Sequence, residues 1–162
     1  MISVEEAKNK IKADMPLMPP EQVSLSDALG RVLAKDVAAR RTQPPHAVSA
    51  MDGYAVRAED VEKLPASLKV VGHVPAGQAY EGTIANGQAV RIFTGATVPA
   101  GADTIVIQEN TERDGELVKV IEGKAPTGRF IRPSGLDFSE GDTLLSAGHT
   151  ITARDIGLAA GM

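Results

Sequence analysis

The apolar residues of this chain follow two patterns, a helical stripe near the N-terminus and short runs between turn residues further along. Ser3 and Glu6 have the spacing of a capping box, and Pro16 ends the predicted helix. Between them, one face of the helix is apolar at Val4, Ala7, Ile11 and Met15. A lone helix of this length is marginal in water. We therefore expect the stripe to pack on its own domain or, as the alternative, on a partner subunit.

Short β-like segments dominate the middle of the chain. A second short helix fits Ser26 to Leu29 and ends at Gly30, and the stretch from Arg31 to Ala39 is typical of extended structure. Asp114-Gly115 is a strong local hairpin signal. It lies between the last two of five predicted strands, which are Tyr54–Val56, Leu68–Val71, Val90–Phe93, Thr104–Gln108 and Leu117–Ile121.

A further helix is predicted near the end of the sequence, where Thr152 and Asp155 repeat the capping-box spacing. The order helix, helix, β-rich middle and helix indicates an α+β fold, with a mainly β lobe inserted into a small helical domain. We place the helical domain at residues 1–40 and 141–162, and the β-rich lobe at residues 41–140. Because the sequence ends in an apolar stretch without a polar tail, we expect a fragment of a longer protein.

Composition narrows the functional classes. The chain has 162 residues, a formal net charge of −4 and no Cys, which excludes disulfides, a thiolate nucleophile and Cys metal sites. The apolar runs are too short for a membrane helix and the N-terminus lacks a signal-peptide pattern, so we expect a cytoplasmic protein. An acidic chain with 3% aromatic residues is not typical of nucleic-acid binding.

Two segments that combine a turn or loop with polar side chains carry candidate chemistry. In residues 44–56, Asp52-Gly53 predicts a turn that holds a carboxylate at the rim of a sheet, where oxygen ligands suit Mg²⁺. In residues 91–103, a strand runs into a loop of small residues, in which Thr94 and backbone amides suit an anion. Taken singly, an ordinary turn and an ordinary Gly/Pro loop explain these segments better.

A third segment, residues 128–142, combines both charges. Arg129 and Arg132 are suited to clamp a phosphate or an oxyanion, and Asp137 is suited to hold a hydrated cation. Surface arginines and a turn carboxylate are the alternative. Other residues are weaker candidates: the three His are far apart in sequence, Ser49 has no visible base, and Glu109 fits a hairpin surface.

In order and spacing, these segments resemble the N-terminal part of the molybdopterin molybdenumtransferase family, the MoeA type that includes the E domain of gephyrin. Each match is weak alone, but five in the same order are hard to explain by chance. The matching pieces are Ala28–Ala34, Ser49–Ala55, Phe93–Ala96 with Pro99–Asp103, Ile131–Asp137 and Ile156–Gly161.

The resemblance implies an enzyme that inserts molybdate into adenylated molybdopterin and releases AMP with Mg²⁺ present. It also implies an elongated homodimer. The active cleft then lies between the β-rich lobe of one subunit and a pterin-binding domain of the other. Because this chain has no pterin-binding domain after residue 162, the fragment alone is expected to be inactive.

The same resemblance assigns roles to individual residues. Asp52, Thr94 and Asp137 map onto catalytic positions, with Asp52 and Asp137 also on the cation side. Arg132, Thr94 and Gly95 map onto positions that bind the anionic cofactor groups. We expect the four side chains among these residues to face one opening. A non-catalytic dimerisation or scaffold module is the alternative, and an unrelated β-lobe that binds a sugar or nucleotide is a third possibility.

Overall fold

The computed structural model describes residues 2–162, with an α-helix near each end of the chain and strands over most of the rest. The predicted α+β class is confirmed. The helices are α1 (Val4–Ala13) and α2 (Ala153–Gly161), and the strands are β1 (Val37–Ala38), β2 (Val48–Ser49), β3 (Gly53–Val56), β4 (Ala66–Val74), β5 (Gln88–Ile92), β6 (Thr104–Ile107), β7 (Thr111–Asp114), β8 (Leu117–Val120), β9 (Ile131–Arg132) and β10 (Thr143–Leu145).

The chain divides into two compact units. One holds Met1–Val37 and Thr143–Gly161, and the other holds Ala38–Asp142 together with Met162. The sequence-based domain assignment, with an inserted lobe at residues 41–140, stays a prediction. Within residues 2–162, no helix has both the length and the apolar character needed to cross a membrane.

In the first unit, capping side chains set where the two α-helices begin. The predicted box at α1 is present, because Ser3 and Glu6 each bond the backbone amide of the other. At α2, the Asp155 carboxylate accepts the amide and hydroxyl of Thr152 and contacts His149 Nε2 at 2.8 Å. These bonds, with that of the Thr152 hydroxyl first, lower the pKa of Asp155 to about 2.

The second predicted helix is shorter than expected. It is a 3-10 helix over Leu25–Asp27 only. The Ser24 hydroxyl donates to the Asp27 carboxylate at 2.6 Å, and such local side-chain bonds favour turns over longer helices. Gly30 follows with a φ of +76°, a left-handed conformation that stops helix growth.

The second unit is built on a six-stranded sheet with the order β6-β3-β5-β4-β8-β7. Only β4 and β5 pair in parallel, and the other neighbours are antiparallel. All five predicted strands are present with small shifts at their ends. The hairpin at Asp114-Gly115 is also present, but it joins β7 to β8, and the prediction that it joins β6 to β8 was wrong. Strand β6 pairs with β3 instead.

Alternate residues of the central strands contact two separate apolar clusters. Tyr54 and Val56 belong to one cluster, and Ala55 between them belongs to the other. Every residue of β3 is buried, as expected of a strand that is covered on both faces. Burial of a side chain such as Ile92 or Ile105 stabilises the fold by about 1.5–3 kcal/mol.

Gly53 differs from its predicted role as a turn residue. It is the first residue of β3 and is paired with β5 on one side and β6 on the other. A Cβ atom at this position would lie 2.0 Å from the carbonyl oxygen of Val106. The close approach of two strands, rather than a turn, therefore requires glycine directly after Asp52.

We expect Gly53→Ala to destabilise the second unit by about 3 kcal/mol, because the added methyl group forces β3 and β6 apart. Urea unfolding followed by circular dichroism measures the loss. Gly87→Ala is the matched control, since Gly87 has a φ of +71° but open space around its Cβ position, and it should cost about 1–2 kcal/mol. Equal losses in the two variants would contradict the close approach.

Candidate functional site

The short strand β2 brings the three predicted segments together through its backbone. On one side, Ser49 exchanges hydrogen bonds with the loop after β5, since its amide donates to Ala96 O and its carbonyl accepts from Gly95 N, both at 2.9 Å. On the other side β2 pairs with β9, and the amide of Ala50 donates to Phe130 O at 2.8 Å. All three segments therefore meet along this strand.

Asp52 and Thr94 are in direct contact. Oδ1 of Asp52 accepts hydrogen bonds from the backbone amide and from the hydroxyl of Thr94, both at 2.8 Å. These two bonds lower the pKa of the Asp52 carboxyl below its usual 3.8, and the positive charge of Arg91 acts in the same direction. Oδ2 accepts no hydrogen bond from residues 2–162. An ionised oxygen is therefore available to a ligand.

Arg132 and Asp137 form a second pair. Nη2 of Arg132 lies 3.2 Å and 3.3 Å from the two carboxylate oxygens of Asp137. The two side chains are 46% and 44% exposed, and such surface pairs contribute about 0–1 kcal/mol to stability. The backbone is held more firmly, because the amide of Asp137 donates to Gln43 O at 3.0 Å. The side-chain contact between Arg132 and Asp137 is thus weak, although the backbone that carries Asp137 is held in place.

The two pairs are not joined by any hydrogen bond or ion pair that the structure gives for residues 2–162, so their common opening stays a prediction. The amide of Gly95 already donates a hydrogen bond to Ser49 O. An anion bound at this loop must therefore contact atoms other than the Gly95 amide. No group of three or more His, Asp or Glu within the described residues is placed to hold a metal ion. A cavity of about 570 Å³ lies elsewhere in the second unit, between the 3-10 helix at Ala58–Val61 and residues 123–129.

Sequence reasoning missed Arg91 as a site residue. Its guanidinium donates to the carbonyl of Gly53 at 2.8 Å and to Oε1 of Gln108 at 2.5 Å. It also lies over the ring of Phe93, 4.5 Å from the centroid. The alternation of side chains along the strand could have indicated the contact between Arg91 and Phe93, because it places residues 91 and 93 on one face.

The shared Asp52–Thr94 bonds predict a pH effect. Because the folded pKa of Asp52 is lowered, its hydrogen bonds stabilise the fold above the unfolded pKa and the stabilisation is lost as the pH falls below 3.8. Thr94→Val removes the hydroxyl and keeps the amide. The difference in unfolding free energy between wild type and this variant should therefore be constant near neutral pH and shrink in acid.

Urea unfolding at a series of pH values measures that difference. Thr94→Ser keeps a hydroxyl and is the matched control, so its pH dependence should follow the wild type. A difference for Thr94→Val that stays the same from neutral pH to below 3.8 would show that the hydroxyl does not act through the ionised carboxylate.

Comparison with known proteins adds to this geometry. A family model described as "MoeA N-terminal region (domain I and II)" matches residues 2–162. A molybdopterin molybdenumtransferase of Nostoc sp. is 39% identical over 99% of this chain and 38% of its own length. Molybdopterin molybdenumtransferase 2 of Mycobacterium tuberculosis is 40% identical over the whole chain and 41% of its own length.

Two crystal structures of the molybdopterin biosynthesis MoeA protein from Pyrococcus horikoshii are similar in fold. One has a TM-score of 0.81 at 33% identity, covering 87% of this chain and 38% of its own. The other has a TM-score of 0.82 at 31% identity, covering 99% of this chain and 42% of its own. The chain thus spans about two-fifths of the length of the relatives it matches.

Proposed function

Because the chain belongs to the family of MoeA N-terminal regions, we propose that it supplies the β-lobe half of the active site of a molybdopterin molybdenumtransferase. The reaction inserts molybdate into adenylated molybdopterin and releases AMP. Its curated relatives carry the name of this enzyme. The observation that carries the proposal is the ionised Asp52 carboxylate, which Thr94 holds by one oxygen while the other accepts no bond from the described residues.

In this proposal, the Asp52 carboxylate is a ligand of Mg²⁺. Mg²⁺ is held in many enzymes by one or two carboxylates together with waters and substrate phosphates, so a three-residue cage is not required. The two Thr94 bonds fix Oδ1 of Asp52 and keep the carboxyl ionised. The cation, when bound, would offset the charge of the substrate phosphates, and Asp137 is the second carboxylate proposed to hold it.

Arg132 and Asp137 act as an exchangeable pair. Their contact is half exposed and therefore weak, so an arriving anion displaces Asp137 from Arg132 at little cost. The guanidinium then binds the anion, and both Asp137 oxygens become free for a cation. This division of roles uses both members of the pair, with Arg132 binding the anionic cofactor groups. Gly95, in the loop of Thr94, is proposed to line the same site.

The site is proposed to be half of the whole. The chain carries a net charge of −4, and salt screens charges beyond about 8–10 Å, so molybdate and phosphate must be bound by local groups. A pterin-binding domain of another subunit would supply the remainder. We therefore propose that the 162-residue chain is inactive on its own and that the whole enzyme is cytoplasmic. In the proposed domain organisation, residues 41–140 are the lobe that is inserted between the two parts of a helical domain, 1–40 and 141–162.

In the full-length protein, Asp52→Ala and Asp137→Ala should each lower the rate of molybdate insertion by about 100-fold or more, the scale of losing a positioned catalytic group. When the rates are measured over a series of Mg²⁺ concentrations, the variants should need more Mg²⁺ than the wild type to reach the same fraction of their maximal rate. Asp114→Ala is the matched control, because this exposed carboxylate lies in the hairpin between β7 and β8.

Circular dichroism and melting temperature establish that the variants remain folded. Wild-type turnover in both folded variants would remove the proposed role of these carboxylates. The 162-residue chain alone should insert no molybdate in the same assay, and insertion at the rate of the full-length enzyme would contradict a shared active site.

A dimerisation module is the second candidate function, and helix α1 favours it. No residue of α1 is buried. The predicted apolar stripe is exposed, with Val4 at 73%, Ile11 at 60% and Met15 at 68%. An exposed apolar stripe on a capped helix is the pattern of a surface that binds another chain. A second copy of the chain is the proposed partner, in keeping with a homodimer of the full-length enzyme.

Sedimentation of the 162-residue chain should show a dimer that dissociates on dilution. Ile11→Glu places a charge in the stripe and should weaken the dimer by about tenfold or more, which corresponds to about 1.4 kcal/mol. Asn9→Glu adds the same charge on the opposite face of α1 and should leave the dissociation constant unchanged. A monomer at every concentration would contradict this candidate.

A further inference from the structure

The guanidinium of Arg91 is held by both of its terminal nitrogens and by two aromatic rings. It is directly opposite Tyr54 in the pairing of β5 with β3. One nitrogen, Nη1, donates to Gly53 O at 2.8 Å, and the other, Nη2, donates to Gln108 Oε1 at 2.5 Å. The flat group lies over two rings, 4.5 Å from the centroid of Phe93 and 5.2 Å from that of Tyr54. Its position is thus fixed in several directions at once.

The partners of Arg91 are the chain neighbours of the Asp52–Thr94 contact. Gly53 follows Asp52 in the sequence, and Phe93 precedes Thr94. Gln108 completes the set, because its own amide donates to the carbonyl of Asp52 at 3.1 Å. Arg91 therefore contacts a chain neighbour on each side of the hydrogen bonds that orient the carboxylate, through the Gly53 carbonyl and the Phe93 ring. No hydrogen bond or ion pair joins Arg91 to Asp52 itself among the described residues.

We infer that Arg91 is a positioning residue, whose forked guanidinium holds Gly53 and Gln108 so that Thr94 keeps its two hydrogen bonds to the Asp52 carboxylate. The inference deepens the proposed function and rests on it only for the use of Asp52 in the reaction. The inferred role is geometric, because the two donors of the fork and its flat faces meet four different partners.

The chemistry of the side chain makes the inference specific to Arg. A Lys ammonium carries the same charge but presents no planar fork and no flat face to stack on the rings. If the charge alone mattered, Lys would serve as well at this position. If the fork matters, Lys at position 91 should fail in the same way as an uncharged side chain of similar length.

The test measures the Thr94 amide directly in the 162-residue chain. An amide that donates to a carboxylate has a characteristic proton chemical shift and exchanges slowly with water. Asp52→Ala removes the acceptor and defines the shift and exchange rate of the unbonded amide. In Arg91→Lys and Arg91→Met, the Thr94 amide proton should move toward those values and exchange on the order of tenfold faster.

Two controls separate positioning from loss of fold. Arg113→Lys changes an exposed Arg whose Nε donates to Gly115 O, and it should leave the Thr94 amide unchanged. The amides of Val56 and Val118, which are buried in the same six-stranded sheet and are not chain neighbours of residue 91, should keep their wild-type shifts in all variants. A merely structural role would move these core amides together with that of Thr94.

A wild-type Thr94 amide in Arg91→Lys would overturn the inference, whether or not Arg91→Met changes it. If the Arg91 variants disturb the core amides, Gln108→Ala decides, because it keeps Arg91 and its ring contacts and removes the acceptor of Nη2. A partial change of the Thr94 amide in that variant supports the inference, and an unchanged amide overturns it. No turnover is measured, so failure here is distinguishable from failure of the proposed function.

Discussion

Backbone hydrogen bonding on both sides of residues 43–50 is the constraint on which the candidate site depends. The amide of Ser49 is bonded to the loop after β5, and that of Ala50 is bonded to Phe130. Asp137 donates its amide to Gln43 O further along the same segment. Three stretches that are far apart in sequence are thus fixed by main-chain atoms. The position of these stretches therefore does not depend on the candidate side chains Asp52, Thr94, Arg132 and Asp137.

The sheet beneath the site explains why Asp52 can be held so near to the core. Every residue of β3 is buried, and the chain enters the sheet at Gly53, whose lack of a side chain allows the approach of β6. The carboxylate one position earlier is therefore anchored by a strand that packs on both faces. This arrangement combines a rigid support with a half-buried acid, and it suits a group that must bind a ligand in a fixed direction.

Local sequence signals predicted the elements, whereas non-local pairing decided their arrangement. Capping at Ser3 and Asp155 and the β-branched runs need only neighbouring residues, so the helices and strands were visible. Asp114-Gly115 fixes a turn but not its strands, and β6 pairs with β3 across a long stretch of chain. Arg91 was missed for the same reason, because its two acceptors are 38 and 17 positions away. Asp52 and Thr94 were each candidates from their own segments, but only the family resemblance placed them in one site.

The distribution of charge indicates that the candidate site is better suited to binding a cation than to binding an anion on its own. Both arginines near the carboxylates are already engaged, Arg91 by Gly53 and Gln108, and Arg132 by Asp137. Asp52 is held as an anion by two donors that carry no charge. An oxyanion approaching this surface alone meets an ionised acid first, so its binding requires either a cation on Asp52 or positive groups from outside these residues. These electrostatics support the proposed two-subunit cleft, in which a partner supplies the positive groups that this surface lacks.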